Sequence, residues 1–226
     1  MVRMIAGLAL LSLIVSPSLA DTNPSLGASQ TPAIALPNDG DEYSRLVARA
    51  AAHDTDTDFH ALRFAWLNSA ARKRQSEMTL GNVIKEMMAA AQANDHGEVR
   101  DKAVELLSAQ YTDMRGHLYL SHACDLLKDA PCAEQARFVA LGLMQSIMSS
   151  GDGKSCDTGW DAALISEEYA LLSFMGLQMQ RQALVSGQHP CDAMTAKNEK
   201  GETVTYFFKI DRIMADEMDR FGLKKP

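Results

Sequence analysis

Residues 203–210 read TVTYFFKI, and whether they form a strand or a helix decides the fold. β-Branched and aromatic side chains at nearly every position suit a pleated, half-buried strand. Just before them Asn198-Glu199-Lys200-Gly201 supplies a glycine-containing turn, so the stretch reads as the second arm of a hairpin. Further strand candidates lie upstream at 192–197, 178–185 and 162–165. A helix from 167 to about 175 separates them, and an amphipathic helix over 211–221 follows. Residues 151–226 are therefore expected to hold a small antiparallel β-sheet with an intervening helix.

Residues 41–150 follow a different period. Phe59, Leu62, Trp66 and Ala70 recur at helical spacing, as do Val99, Ala103, Leu106 and Leu107. Ala133, Ala136, Ala140, Leu143, Met144 and Ile147 form a third stripe; each marks a one-faced amphipathic helix. Asp95 with Glu98 resembles a capping box, and Pro131 stands where a first-turn proline is tolerated. Short polar breaks at 94–95 and 128–131 make neighbouring helices antiparallel. The expected class is α+β: an N-terminal stack of antiparallel helical hairpins, tetratricopeptide-like but without a clear repeat, followed by the sheet. One domain over 41–226 accommodates both parts.

Residues 1–20, MVRMIAGLALLSLIVSPSLA, have the basic start, apolar centre and small-residue end of a secretory signal peptide, with cleavage expected between Ala20 and Asp21. The apolar run is too short to span a bilayer, and nothing later suggests a membrane span in the mature chain. Residues 21–40, with Pro24, Pro32 and Pro37, read as a flexible leader. Without Arg3 the basic side chains fall from 22 to 21 against 29 acidic ones, a balance of −8. An acidic chain with no basic cluster excludes nucleic acid as the expected partner. An even number of cysteines in an exported chain, Cys124, Cys132, Cys156 and Cys191, points to disulfides. Four cysteines allow three pairings. Cys124–Cys132 is favoured because the two flank one helix–helix turn, which leaves Cys156–Cys191. These features indicate an exported protein, periplasmic or secreted.

The chemistry-bearing stretch is residues 149–157, SSGDGKSCD. Gly153-Lys154-Ser155 ends like a nucleotide-binding P-loop, but the first glycine of that motif should stand at 148, where Met148 is found, and a helix precedes the loop instead of a strand. Two readings remain. Gly151 can end the preceding helix in a left-handed cap, with Asp152-Gly153 turning the chain. Alternatively the amides of Gly151, Asp152, Gly153, Lys154 and Ser155 form an anion-binding concavity. Glu167, Glu168 and Tyr169 follow, either as a helix start capped by Ser166 or as acid/base or contact groups sharing a cleft with Lys154. Two adjacent carboxylates on a helix cannot both face one cleft, so only one would act.

Metal and cofactor sites are not expected. Asp54, Asp56 and Asp58 have the acid spacing of a calcium loop, but Phe59 and Ala65 replace its glycine and final glutamate; a helix start is the expected use. His117 and His122 lie five apart, on different helix faces. Neither a zinc-protease motif nor a nucleophile elbow occurs.

Leu143-Met144-Gln145-Ser146-Ile147, then Ser150 to Ser155, Glu167-Glu168-Tyr169, Gln182-x-Leu184, Asp192-x-Met194 and Tyr206-Phe207 together resemble an uncharacterised bacterial family, domain of unknown function 4919, over about residues 43–210. At Ala136 the sequence departs from members that carry a His there. The family lends no activity and no catalytic residue; the resemblance implies that the 150–155 and 167–169 segments meet in space. The expected function is a non-catalytic periplasmic module that binds a protein or a small anionic ligand. The alternative is a periplasmic enzyme holding an anionic or phosphorylated small molecule at the 150–155 loop. The mature N-terminus tests the export reading: intact-mass measurement of protein from its native host should give a chain starting at Asp21, and a chain retaining Met1 would remove the signal peptide.

Overall fold

The computed structural model describes residues 32–187 and 189–222; the expected signal peptide, the expected cleavage between Ala20 and Asp21 and the first part of the expected leader lie outside the described residues. Seven helices come first: α1 (Glu42–Ala51), α2 (Phe59–Asn68), α3 (Ala70–Arg74), α4 (Glu77–Gln92), α5 (His96–Ala109), α6 (Met114–Leu126) and α7 (Ala130–Met148). Then come β1 (Trp160–Asp161), α8 (Ile165–Phe174), β2 (Gln178–Val185), β3 (Cys191–Lys197), β4 (Thr203–Lys209) and α9 (Asp211–Phe221). The class is α+β. No described helix is long and apolar enough to cross a membrane.

Short polar side chains set the helix starts. Asp41, Asp58, Asp95, Asp113 and Asp129 each accept a hydrogen bond from the amide three residues on, and Ser69 and Ser76 do the same through their hydroxyls. Such a cap is worth about 1 kcal/mol. The aspartates at 54–58 are used in this way: Asp58 caps α2, and Asp54 pairs with Arg49 at 2.7 Å. Helices α4 to α7 pack each on the next. Their lengths of 16, 14, 13 and 19 residues show no repeated unit of the tetratricopeptide kind.

TVTYFFKI forms β4, and the turn before it makes a hairpin with β3 that pairs Lys197 with Thr203 and Cys191 with Lys209. β2 pairs antiparallel with β3 on the other side. The sheet is mixed, not wholly antiparallel, with order β1-β4-β3-β2. β1 runs parallel to β4, with Trp160 opposite Phe208, and occupies 160–161 instead of 162–165. Its position is fixed from outside: Trp160 stacks on Tyr206 with ring centroids 5.0 Å apart, and Phe207 donates its amide to the Gly153 carbonyl at 3.0 Å. α8 starts at Ile165, not 167, after Leu164, and Ser166 does not cap it.

One apolar core lies between α1, α2, α7 and the sheet and includes Trp66, Leu143, Leu171, Met194 and Phe208. A second fills the space among α4 to α7 around Met87, Leu106, Leu107 and Leu120. Part of the leader is ordered against them: Ile34 packs on both cores, and Ala35 donates its amide to Ser108 Oγ at 2.9 Å. The disulfides are Cys124–Cys132, joining the end of α6 to the start of α7, and Cys156–Cys191, joining the 151–158 loop to β3.

Where α7 crosses α2, a Cβ at Gly142 would stand 2.3 Å from the Phe59 ring. Overpacking costs about 1–3 kcal/mol, and the gain in helix propensity from glycine to alanine returns about 1. Gly142→Ala should therefore lower unfolding stability by about 1 kcal/mol, while the same change in a Phe59→Ala background should raise it. Urea titration reads both signs; a loss of equal size in both backgrounds would show that the ring contact is not the cause.

Candidate functional site

The 151–158 loop is a turn tied down by its own atoms. Asp152 and Gly153 donate their amides to the Thr158 carbonyl at 2.9 and 3.1 Å. The Lys154 amide and the Thr158 hydroxyl both donate to Asp152 Oδ1, at 2.9 and 2.6 Å. The Thr158 hydroxyl and the Lys154 amide hold the Asp152 carboxyl below the usual carboxylate range. Ser155 Oγ accepts the Thr158 amide at 3.2 Å. Three of the amides that an anion cradle would use are thus already engaged. The left-handed residue is Gly153, with φ 67°, not Gly151. Gly151 is required for close approach instead: a Cβ there would lie 2.4 Å from the Thr158 carbonyl oxygen. Lys154 projects to solvent.

The two glutamates sit at the start of α8 and turn apart, since successive helix side chains point about 100° from one another. Glu167 meets Arg63 of α2. Arg63 donates from Nε to Oε1 at 3.1 Å and from Nη2 to Oε2 at 2.8 Å, with further bonds to the Asp161 carbonyl at 2.6 Å and Ser146 Oγ at 3.2 Å. Glu167 Oε2 also accepts the Ala163 amide at 2.8 Å, the tie that α8 has in place of a side-chain cap. Arg63 and Glu167 are both buried, 1% and 5% exposed. The cation on Glu167 is therefore Arg63, not Lys154. Sequence reasoning passed over Arg63, although its position between Phe59 and Trp66 on the apolar stripe of α2 was a signal: a charged residue there needs a partner.

Glu168 faces the sheet. It is wholly buried, and neither carboxyl oxygen meets a donor among the described residues. Burial first, then the neighbouring Asp192 and Glu167 carboxylates, push its pKa up to about 9. A shift this large favours the protonated acid at neutral pH, the form that can donate to the neighbouring Asp192 carboxylate. Asp192 also accepts from Gln182 Nε2 at 2.6 Å, and Gln182 Oε1 accepts from the Tyr169 hydroxyl at 2.7 Å. A chain of hydrogen bonds thus runs from the interior at Glu168 through β3 and β2 to Tyr169, which is 41% exposed. Tyr169 opens onto a groove of about 540 Å³ between α6, α8 and the start of β2, the outer strand, walled by Met88, Tyr119, Phe174, Leu177 and Met179. Among the described residues lining it Arg115 is the one charged side chain, and it pairs with Asp113 at 3.0 Å.

The residues that carried the family resemblance come together here: Ser146 on Arg63, then Glu167, Glu168, Tyr169, Gln182 and Asp192 in contact through one region. The 150–155 loop borders it through Ser150 Oγ, which accepts the Asp161 amide at 2.7 Å. Ala136, where the resemblance breaks, is buried in α7. Fold and site define an α+β domain whose helical part and sheet are joined by buried carboxyls. The chain belongs to the family described as domain of unknown function (DUF4919), whose model matches residues 35–219. No curated protein and no solved structure matches it.

Glu168 makes stability depend on pH. Its folded pKa is raised from 4.5 to about 9, so folding takes up a proton between those values. The stabilisation is full below about 4.5 and is lost as pH rises toward 9, at about 1.4 kcal/mol per pH unit for one proton. Urea unfolding between pH 5.5 and 8.5 should show this slope in the wild type and a slope flatter by that amount in Glu168→Gln. Equal slopes would mean that Glu168 is ionised in the folded protein.

Proposed function

We propose that the protein is an exported, non-catalytic binding module that holds an apolar protein segment in the groove between α6 and α8. One observation carries this reading: the hydrogen-bonded chain from Glu168 to Tyr169 ends on a groove with exposed Met88, Tyr169 and Phe174, each more than two-fifths accessible. Large exposed apolar side chains grouped along one concavity mark an interaction surface. Export is supported by the composition of residues 1–20 and by two disulfides, which persist in an oxidising compartment. The residues after the signal peptide serve as the mature chain, with 41–226 as its single domain.

Binding is favoured over catalysis by the state of the acids. Glu167 is engaged by Arg63, and Glu168 is closed off from solvent. A general acid or base has to come within about 3 Å of its substrate. The chain is acidic, with net charge −7, while the groove offers Arg115, whose side chain is 31% exposed beside Asp113. The segment it suits is apolar and carries a carboxylate to meet Arg115.

A photo-crosslinking residue at Phe174 should trap a discrete partner in the native host. The same residue at Leu141, equally exposed on α7, should not trap it, and Arg115→Glu should weaken the adduct at 174. No adduct at 174, or identical adducts from both positions, would remove the docking reading.

A further inference from the structure

β2, β3 and β4 each carry two faces. On β3, Asp192, Met194 and Ala196 are buried, while Ala193, Thr195 and Lys197 between them are half-buried or exposed. The register arranges the outer positions in rows: Ala183, Ala193 and Phe207 stand abreast, then Arg181, Thr195 and Thr205, then Gln178, Lys197 and Thr203. Among the described residues, neither apolar core includes Ala183, Ala193 or Phe207. Strand side chains stand roughly perpendicular to the sheet. The Phe207 ring is therefore a wall beside a floor of two alanine methyls, about 10 Å across from β2 to β4 at the usual strand spacing.

The charge of this face runs against that of the chain, which has 29 acidic and 22 basic side chains. β2 and β4 hold no Asp or Glu, and the acid of β3, Asp192, is on the buried side. The face carries Arg181 and Lys197, both exposed, and among the described residues neither meets a carboxylate. Lys209, one row beyond Phe207, lies 3.6 Å from Asp161 of β1 at the border. Hydroxyls fill the space between the cations and the ring. Thr195 and Thr205 share one hydrogen bond at 3.2 Å, which leaves one hydroxyl hydrogen and an acceptor on each oxygen for a ligand.

We propose that the outer face of β2, β3 and β4 binds an extended anionic oligosaccharide, with one sugar ring against Phe207 over the alanine floor and acidic groups on Arg181 and Lys197. Lys197 stands four residues along β3 from Ala193, about 13 Å at the rise of a strand. A ligand that reaches from the floor to both cations is therefore longer than one sugar. The threonine hydroxyls, donors and acceptors at once, match the hydroxyls of a sugar ring. Single-stranded nucleic acid fits less well, because it stacks successive bases on successive aromatic rings and this face offers one, Phe207. Gln182 and Asp192, which lead to the Tyr169 groove, lie on the opposite side of the sheet, so the two sites do not depend on each other.

The probes are hexagalacturonate and a chondroitin sulfate hexasaccharide, with neutral maltohexaose and a dodecathymidylate as competitors for the assignment. Titration calorimetry on the full mature chain should show saturable binding of at least one anionic glycan, weakened by salt and about tenfold or more tighter than maltohexaose, the worth of one charge-assisted hydrogen bond. Arg181→Glu with Lys197→Glu should weaken it by about tenfold or more, and Phe207→Ala should weaken it too. Lys85→Glu, a charge reversal at an exposed position of α4, should leave it unchanged. In case a sheet variant fails to fold, the wild type serves alone: saturating glycan should move the methyl resonances of Ala193, Thr195 and Thr205 and leave that of buried Ala170 in place. No saturable binding of either anionic glycan, equal affinity for maltohexaose, or binding that survives the double reversal would each overturn the assignment. Tighter binding of the dodecathymidylate, or unmoved resonances at 193, 195 and 205, would overturn it as well.

Discussion

The ion pair of Arg63 with Glu167 is the constraint on which the rest of the structure turns. It joins α2 and α7 of the helical part to β1 and α8 of the sheet part, and both side chains are buried. Removing two charges from water costs several kcal/mol per ion, and the pair recovers this only if every remaining donor and acceptor is used. Arg63 meets that condition by reaching Glu167, Ser146 and the Asp161 carbonyl at once. A half-satisfied arrangement would be worse than an apolar one, so the pair fixes the position of α8 as well as its attachment.

Glu168 follows from that placement. With Glu167 committed to Arg63, the next side chain on the helix must enter the layer between α8 and the sheet, where Asp192 already stands on β3. Two carboxylates cannot both be ionised there. Keeping Glu168 protonated turns a repulsion into a hydrogen bond and orders Asp192, Gln182 and Tyr169 behind it. The Cys156–Cys191 bridge acts on the same strand, one residue before Asp192. The loop whose ending imitates a P-loop is thereby fastened to β3 and β4, and its glycines serve close approach between backbones.

Local signals in the sequence were read well because local physics decides them. TVTYFFKI became β4, the aspartates at 58 and 95 became caps, and the helical stripes became cores. β1 was misplaced because a two-residue strand has no periodicity; stacking of Trp160 on Tyr206 and pairing with Phe208 create it, and both partners are more than 45 residues away. For the same reason the parallel pairing was missed and the sheet was expected to be antiparallel. Ser166 looked like a cap by composition, yet the Arg63–Glu167 pair draws the helix start back to Ile165. Of the candidate site, Glu167, Glu168 and Tyr169 were named from sequence. Their partners were not, because a pairing across 104 residues, as between Arg63 and Glu167, leaves no local trace beyond a charge on an apolar face.

The use made of these residues bears on what the protein does. A general acid or base works at the mouth of a cleft, within reach of its substrate. Here the perturbed acid is the innermost member of the chain, and the outermost is a tyrosine hydroxyl that already gives its hydrogen to Gln182. What this interior network controls is the pose of α8 and of β2 behind it. Those elements present Tyr169, Phe174 and Met179 outward along one groove. A buried polar network that holds an apolar surface in one shape accords with the binding role proposed above, because rigidity of the groove lowers the ordering cost of binding.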